Sequence, residues 1–157
     1  MDKIAISTAG YKKLTERLLV LKETERPAIL EAIQKARELG DLSENADYST
    51  AKDAERAINS EIRRLEGLLE KSDVIDVASL FGDTVMFGAR VNLEDEDGKA
   101  AEYLILSEYE SDLARGIIAV TSPVGRALIG KKTGDFVTVK TPSGVRELEI
   151  MGIRYGA

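Results

Sequence analysis

The 157-residue sequence has no cysteine and no histidine. Without cysteine there is no disulfide framework, zinc knuckle or thiol nucleophile. Without histidine the usual imidazole base and most nitrogen-ligated metal sites are excluded, leaving carboxylate and lysine chemistry. No apolar run approaches a membrane span, and the opening MDKIAISTAG lacks the apolar core of a signal peptide. A cytoplasmic, monomeric protein without membrane contact is expected. A strong basic excess is also missing: the net charge of -6 argues against a protein that coats duplex DNA, so any nucleic-acid contact must be local.

The composition, 43% apolar and 32% charged, is that of a folded chain with a large solvated helical surface. Its length suits one domain or two small units, and the pattern favours two. Before position 79 stand 13 basic and 16 acidic residues, and after it 9 and 12, so each part carries -3 and the parts differ in pattern instead of charge.

From Thr8 to Leu39 the apolar residues Leu14, Leu18, Leu21, Ala28 and Ala32, widened by Ile29 and Ile33, follow a helical period. Pro27 predicts a kink or a local adjustment. Gly40 ends the pattern, and a second helix is predicted from Ser43 to about Ser72, with a narrow seam of Ala51, Ala54, Ile58, Ile62, Leu65 and Leu69. Two helices joined by so short a connection must be antiparallel neighbours, with the turn at Gly40 to Ser43. At ~1.5 Å per residue, about 28 residues project roughly 40 Å.

From Val74 onward the runs VIDV, TVMF, ARVNL, EYLIL, IIAV, FVTV and ELEIMGI, separated by glycine and polar turns, read as strands. Ser122 as N-cap, Pro123 at the first helical position and Gly130 beyond the end predict one short helix among them. The fold class expected is α+β: an antiparallel coiled-coil hairpin over residues 1–76 and a small antiparallel-sheet domain with one helix over 77–157.

Asp41 and Glu44 flank the hairpin turn. Their spacing fits a capping box, and it also fits two carboxylates presented together at a remote projection; the two roles are compatible. Lys52, Arg56 and Arg63 form a basic row on the second helix, with Arg37 near the tip on the first. They read either as a solvated face, balanced by Asp53 and Glu55, or as a track for RNA phosphates. Lys52 and Arg56 are like charges one turn apart.

The tip text, Gly40 to Tyr48 followed by Ala51-Lys52, closely resembles that of the bacterial Gre transcript-cleavage factor family, its GreA branch more than GreB. Glu25-Arg26-Pro27, Ile29 to Arg37, Val74-Ile75-Asp76, Gly88 to Val91, Ser122-Pro123, Arg126 to Gly130, Gly134-Asp135, Lys140 to Pro142 and Gly144 match in order. The resemblance implies a coiled coil inserted through the secondary channel of bacterial RNA polymerase and a C-terminal domain of FK506-binding-protein-like fold. It implies that Asp41 and Glu44 help hold Mg²⁺ in the polymerase's own active site, where the 3′ RNA of backtracked complexes is hydrolysed. The chain is then no free-standing enzyme, and two exposed carboxylates alone should bind Mg²⁺ weakly.

The same resemblance makes Arg37, Lys52 and Arg56 contacts for nascent RNA, Ser122 and Pro123 polymerase contacts, and Leu42, Asn45 and Tyr48 residues that shape the tip. The stretch Ala57-Ile58-Asn59-Ser60-Glu61 departs from the aromatic or glycine-containing text of many relatives, which leaves the length of the RNA track open. Two rival functions remain. A channel-blocking relative without cleavage activity is disfavoured by the intact Asp41 and Glu44. A prolyl isomerase is disfavoured because a proline pocket wants aromatic walls, and this part has Phe81, Phe87, Phe136, Tyr103, Tyr109 and Tyr155 without tryptophan.

Overall fold

The computed structural model describes residues 3–40 and 45–156. It separates into two compact units, one of Tyr11–Ser72 and one that joins Lys3–Gly10 to the chain from Asp73 onward. Among the described residues no helix is long and apolar enough to cross a membrane.

The first unit is a helical hairpin. Helix α1 (Thr8–Val20) runs through a π-helical turn, Leu21–Glu25, into α2 (Arg26–Glu38), and α3 (Ala46–Lys71) returns. The π turn is the adjustment that Pro27 requires: the amide of Arg26 bonds to the carbonyl of Leu21, five residues back, and the wider turn accommodates a ring that a straight α-helix would reject. It also advances the helix phase by one residue. The seam therefore passes from Leu14, Leu18 and Leu21 to Ile29, Ile33 and Ala36, while Ala28 and Ala32, expected in it, are exposed. On α3 the buried positions are Ala51, Ile62, Leu65 and Leu68, so Leu68 replaces the expected Leu69 as the most buried residue of the last turns.

Leu21 is 0% exposed and packs on Ile62 and Leu65, with Leu14, Leu18 and Ile58 around it. Removing such a side chain costs about 2–5 kcal/mol. Ala36 meets Asn45 at the other end, which fixes the antiparallel sense. Across the helices, Arg17 Nη2 donates to Glu61 Oε1 at 2.9 Å and Lys22 Nζ to Glu66 Oε2 at 2.7 Å. Exposed pairs of this kind set register more than they add stability.

In the second unit β1 (Ile4–Ser7) pairs with β2 (Ser72–Ile75) as a two-stranded ribbon. The main sheet contains β3 (Arg90–Asp95), β4 (Ala100–Leu106), β5 (Ile117–Ala119), β6 (Phe136–Thr141) and β7 (Gly144–Arg154), in the order β5-β4-β3-β7-β6. Helix α4 (Pro123–Leu128) follows β5, and Leu128 enters a core with Val91, Leu93, Ile105, Val137, Val139 and Ile150.

Two strand expectations are corrected. The sheet is not wholly antiparallel: β5 lies parallel to β4, because the connection from Ser107 to Gly116 carries the chain back before it pairs. TVMF is not a strand. Thr84 makes one isolated bridge to Lys132, and the fully buried Val85 exchanges backbone bonds with the loop after α4, its amide to Lys131 O at 2.8 Å and its carbonyl from Gly130 N at 2.7 Å.

Candidate functional site

The tip is built from the end of α2 and the start of α3. Gly40 ends the first helical arm with φ 111°, a left-handed conformation that favours glycine, and its amide bonds to Arg37 O at 3.3 Å. Asp41, Leu42, Ser43 and Glu44 lie outside the described residues. The chain resumes at Asn45, the N-cap of α3: its Oδ1 accepts from the Tyr48 amide at 3.0 Å, and its Nδ2 donates to Ala36 O at 2.6 Å. One side chain thus caps the returning helix and clasps it to the outgoing one.

This corrects the expected helix start. The helix begins at Ala46 instead of near Ser43, and the amide three residues past the cap is taken by Asn45. The N-cap of α3 is therefore Asn45, and Asp41 and Glu44 precede it in the sequence.

Arg37 and Tyr48, chosen separately from the sequence, come together: the Arg37 guanidinium carbon lies 6.0 Å from the centre of the Tyr48 ring. The basic row is not bare. Lys52 Nζ lies 2.8 Å from Glu55 Oε1, and Arg56 Nη1 2.5 Å from Asp53 Oδ1. The acids that make up the solvated-face reading are in contact with the bases of the RNA-track reading, so any phosphate must compete with them. Farther along, the hydrogen bond from Arg17, with charge attraction beside it, holds the Glu61 carboxyl below its ordinary value, although burial opposes this.

In the second unit, Ser122 caps α4. Its Oγ accepts from the Gly125 amide at 3.1 Å and donates to Ala119 O at 2.6 Å, so its hydroxyl is committed inside the fold. Pro123 occupies the first helical position and is exposed. Gly125 was not singled out from the sequence, yet a Cβ there would come 2.3 Å from Ala119 O. The Ser-Pro-x-Gly text was the signal for that close approach.

The family described as "Transcription elongation factor, N-terminal" matches residues 4–74, and "Transcription elongation factor, GreA/GreB, C-term" matches residues 80–155. The chain belongs to the GreA/GreB family of transcription elongation factors. It is 47% identical over 156 residues to the transcription elongation factor GreA of Phenylobacterium zucineum and 48% identical over 156 residues to that of Methylobacterium sp. strain 4-46, covering 99% of each chain. Among solved structures, GreA factor homolog 1 of Thermus thermophilus shares 26% identity, with 97% of this chain and 99% of that one covered and a TM-score of 0.45.

Asp41 and Glu44 offer carboxylate oxygens, while the nearby Oδ1 of Asn45 is taken by the Tyr48 amide. Two carboxylates suit Mg²⁺, which prefers oxygen and retains water, as part of a shared site and not as a complete cage. Among the described residues no cluster of three or more carboxylates forms such a cage.

Proposed function

We propose that this GreA/GreB family member binds bacterial RNA polymerase in the cytoplasm, passes its hairpin tip through the secondary channel, and stimulates cleavage of the 3′ RNA in backtracked complexes. Asp41 and Glu44 hold Mg²⁺ jointly with the polymerase. An ion held there would supply charge stabilisation for hydrolysis of the RNA phosphodiester. The chain's own share is positioning: Asn45 clasps the two arms, Arg37 and Tyr48 brace the tip, and Pro123 at the start of α4 meets the polymerase. Lys52 and Arg56 receive the extruded RNA. The protein is a donor of carboxylates to another active site and not an enzyme alone.

The observation that carries the reading is the N-cap. Asn45 is the N-cap of α3, and the proposal gives the two carboxylates before it in the sequence, Asp41 and Glu44, the role of holding the ion. The test adds Asp41→Asn with Glu44→Gln to a backtracked elongation complex. Melting and competition for polymerase should be near normal, and cleavage at saturating protein should be lost. A double variant that folds, binds and cleaves at the normal rate overturns the proposal.

A further inference from the structure

The second unit carries a basic and aromatic face that the tip chemistry leaves unused. Helix α4, the loop after it and β6 enclose a shallow depression of about 340 Å³, floored by Ala127, Ile129 and Val137 and rimmed by Arg126, Lys131 and Phe136. Phe136 opens the edge strand of the sheet and is 62% exposed. Along β6, Phe136, Thr138 and Lys140 face solvent while Val137 and Val139 enter the core, as strand alternation requires.

The arginines of β3 and β7, Arg90, Arg146 and Arg154, are engaged in ion pairs. Among the described residues no carboxylate lies within ion-pair distance of Arg126 or Lys131. An exposed aromatic face beside unpaired cations, over an apolar floor, is the combination that binds single-stranded nucleic acid: bases stack on the ring, and phosphates meet the cations. A duplex buries its base faces and cannot use the ring. Glu149 stands opposite Phe136 on β7, so phosphates must be held on the Arg126 and Lys131 side of the ring.

We propose that this face binds single-stranded RNA, the single strand that a transcription elongation factor meets, with Phe136 stacking on a base and Arg126 and Lys131 holding adjacent phosphates. The surface belongs to the second unit and the tip to the first, and its binding does not depend on cleavage.

The experiment titrates the full-length protein into a fluorescently labelled oligouridine and reads anisotropy at several salt concentrations. Phe136→Leu, which keeps an apolar residue but removes the aromatic face, should weaken binding about fivefold or more. Arg126→Gln with Lys131→Gln should flatten the slope of log affinity against log salt by about 1.4, since each lost phosphate contact is worth roughly 0.7 on a single strand. Lys52→Gln with Arg56→Gln should leave both differences in place. An unchanged affinity in Phe136→Leu overturns the proposal. So does binding of a poly-glutamate peptide in competition with the RNA and insensitive to Phe136→Leu, which marks the face as a site for acidic protein. Single-stranded DNA of the same length should bind about as tightly, because stacking and phosphate contacts do not read the sugar, whereas a duplex of that length should not compete through Phe136. Because no polymerase is present, these outcomes are independent of the tip mechanism.

Discussion

The hydroxyl of Ser7 donates to the carboxylate of Glu110, a residue 103 positions away in the chain. The same carboxylate accepts from the Ser7 amide at 3.2 Å, from the Ser107 amide at 3.2 Å and from the Ser107 hydroxyl at 2.8 Å, while Ser7 Oγ accepts from the Gly10 amide at 3.0 Å. Ser7 and Ser107 are 3% and 2% exposed, so Glu110 is the partner that makes their burial tolerable. It fastens the N-terminal strand into the unit that begins again at Asp73.

Glu110→Ala should therefore strand buried donors and cost about 2–3 kcal/mol of stability. Gly10→Ala should also destabilise the native protein, because a Cβ would lie 2.3 Å from Glu110 Oε1, despite alanine's better helix propensity. With Glu110 already truncated, the clash disappears and Gly10→Ala should become neutral or stabilising by up to about 1 kcal/mol. A double-mutant cycle from urea unfolding checks the change of sign. Additive losses would mean that Glu110 and Gly10 are not in contact.

The two bonds of Asn45 separate by substitution. Asn45→Asp keeps the acceptor for the Tyr48 amide but loses the donor to Ala36 O, and Asn45→Ala loses both. Alanine should cost about 1–2 kcal/mol and raise hydrogen exchange at Tyr48. Aspartate should restore protection of the Tyr48 amide without restoring tip stability, because the clasp between the helices is still missing. Full recovery by aspartate in both readouts would show that the bond to Ala36 contributes nothing.

Acid should weaken the hairpin through Glu61. Its carboxyl is held below the ordinary 4.5 by the Arg17 hydrogen bond. A lowered folded value contributes stability above the ordinary titration range, and that contribution is lost as pH falls through the folded value. Melting followed from about pH 7 to about pH 3 should show a decline that Glu61→Gln makes shallower. An unchanged acid profile in Glu61→Gln would leave the Arg17 pairing without a thermodynamic role.

Much of this architecture was legible in the residues, and the misreadings have physical causes. The seam of α3 and the cap of α4 follow from local spacing and local chemistry, which need no distant partner. The seam of the first arm was misplaced after Leu21, because periodicity assumes a uniform helix and the π turn adds one residue to the count. The eight-residue step from Leu21 to Ile29 was its trace in the sequence. Strand β1 was missed although Ile4 and Ile6 alternate, since so short a run gains its meaning only from its pairing with β2. Val85 reads as strand but is held by the loop after α4, a contact between segments far apart in sequence. At the tip, residue types were readable and partners were not: nothing local announces that Asn45 reaches back to Ala36 or that Arg37 lies over Tyr48.

The contact between Lys52 and Glu55 gives a test of the RNA track that runs opposite to ordinary charge removal. Their side chains are 30% and 19% exposed and 2.8 Å apart, so the carboxylate competes with any phosphate for the ammonium. If Lys52 holds RNA, Glu55→Gln should improve function by releasing it. An exposed pair is worth about 0.2–1 kcal/mol, so the gain should be no more than about fivefold. It should be greatest on backtracked complexes with long extruded RNA at low salt, and it should fade as salt screens the phosphates. Lys52→Gln should move in the other direction on the same substrates, and Asp53→Asn, which releases Arg56, should act like Glu55→Gln. Helicity should survive all three changes, because glutamine forms helices well and asparagine replaces an aspartate of similar propensity. The measurement is the cleavage rate on long and short extruded ends across a salt series. If Glu55→Gln leaves that rate and its salt dependence unchanged while Lys52→Gln is also silent, the row is a solvated face and RNA is guided elsewhere.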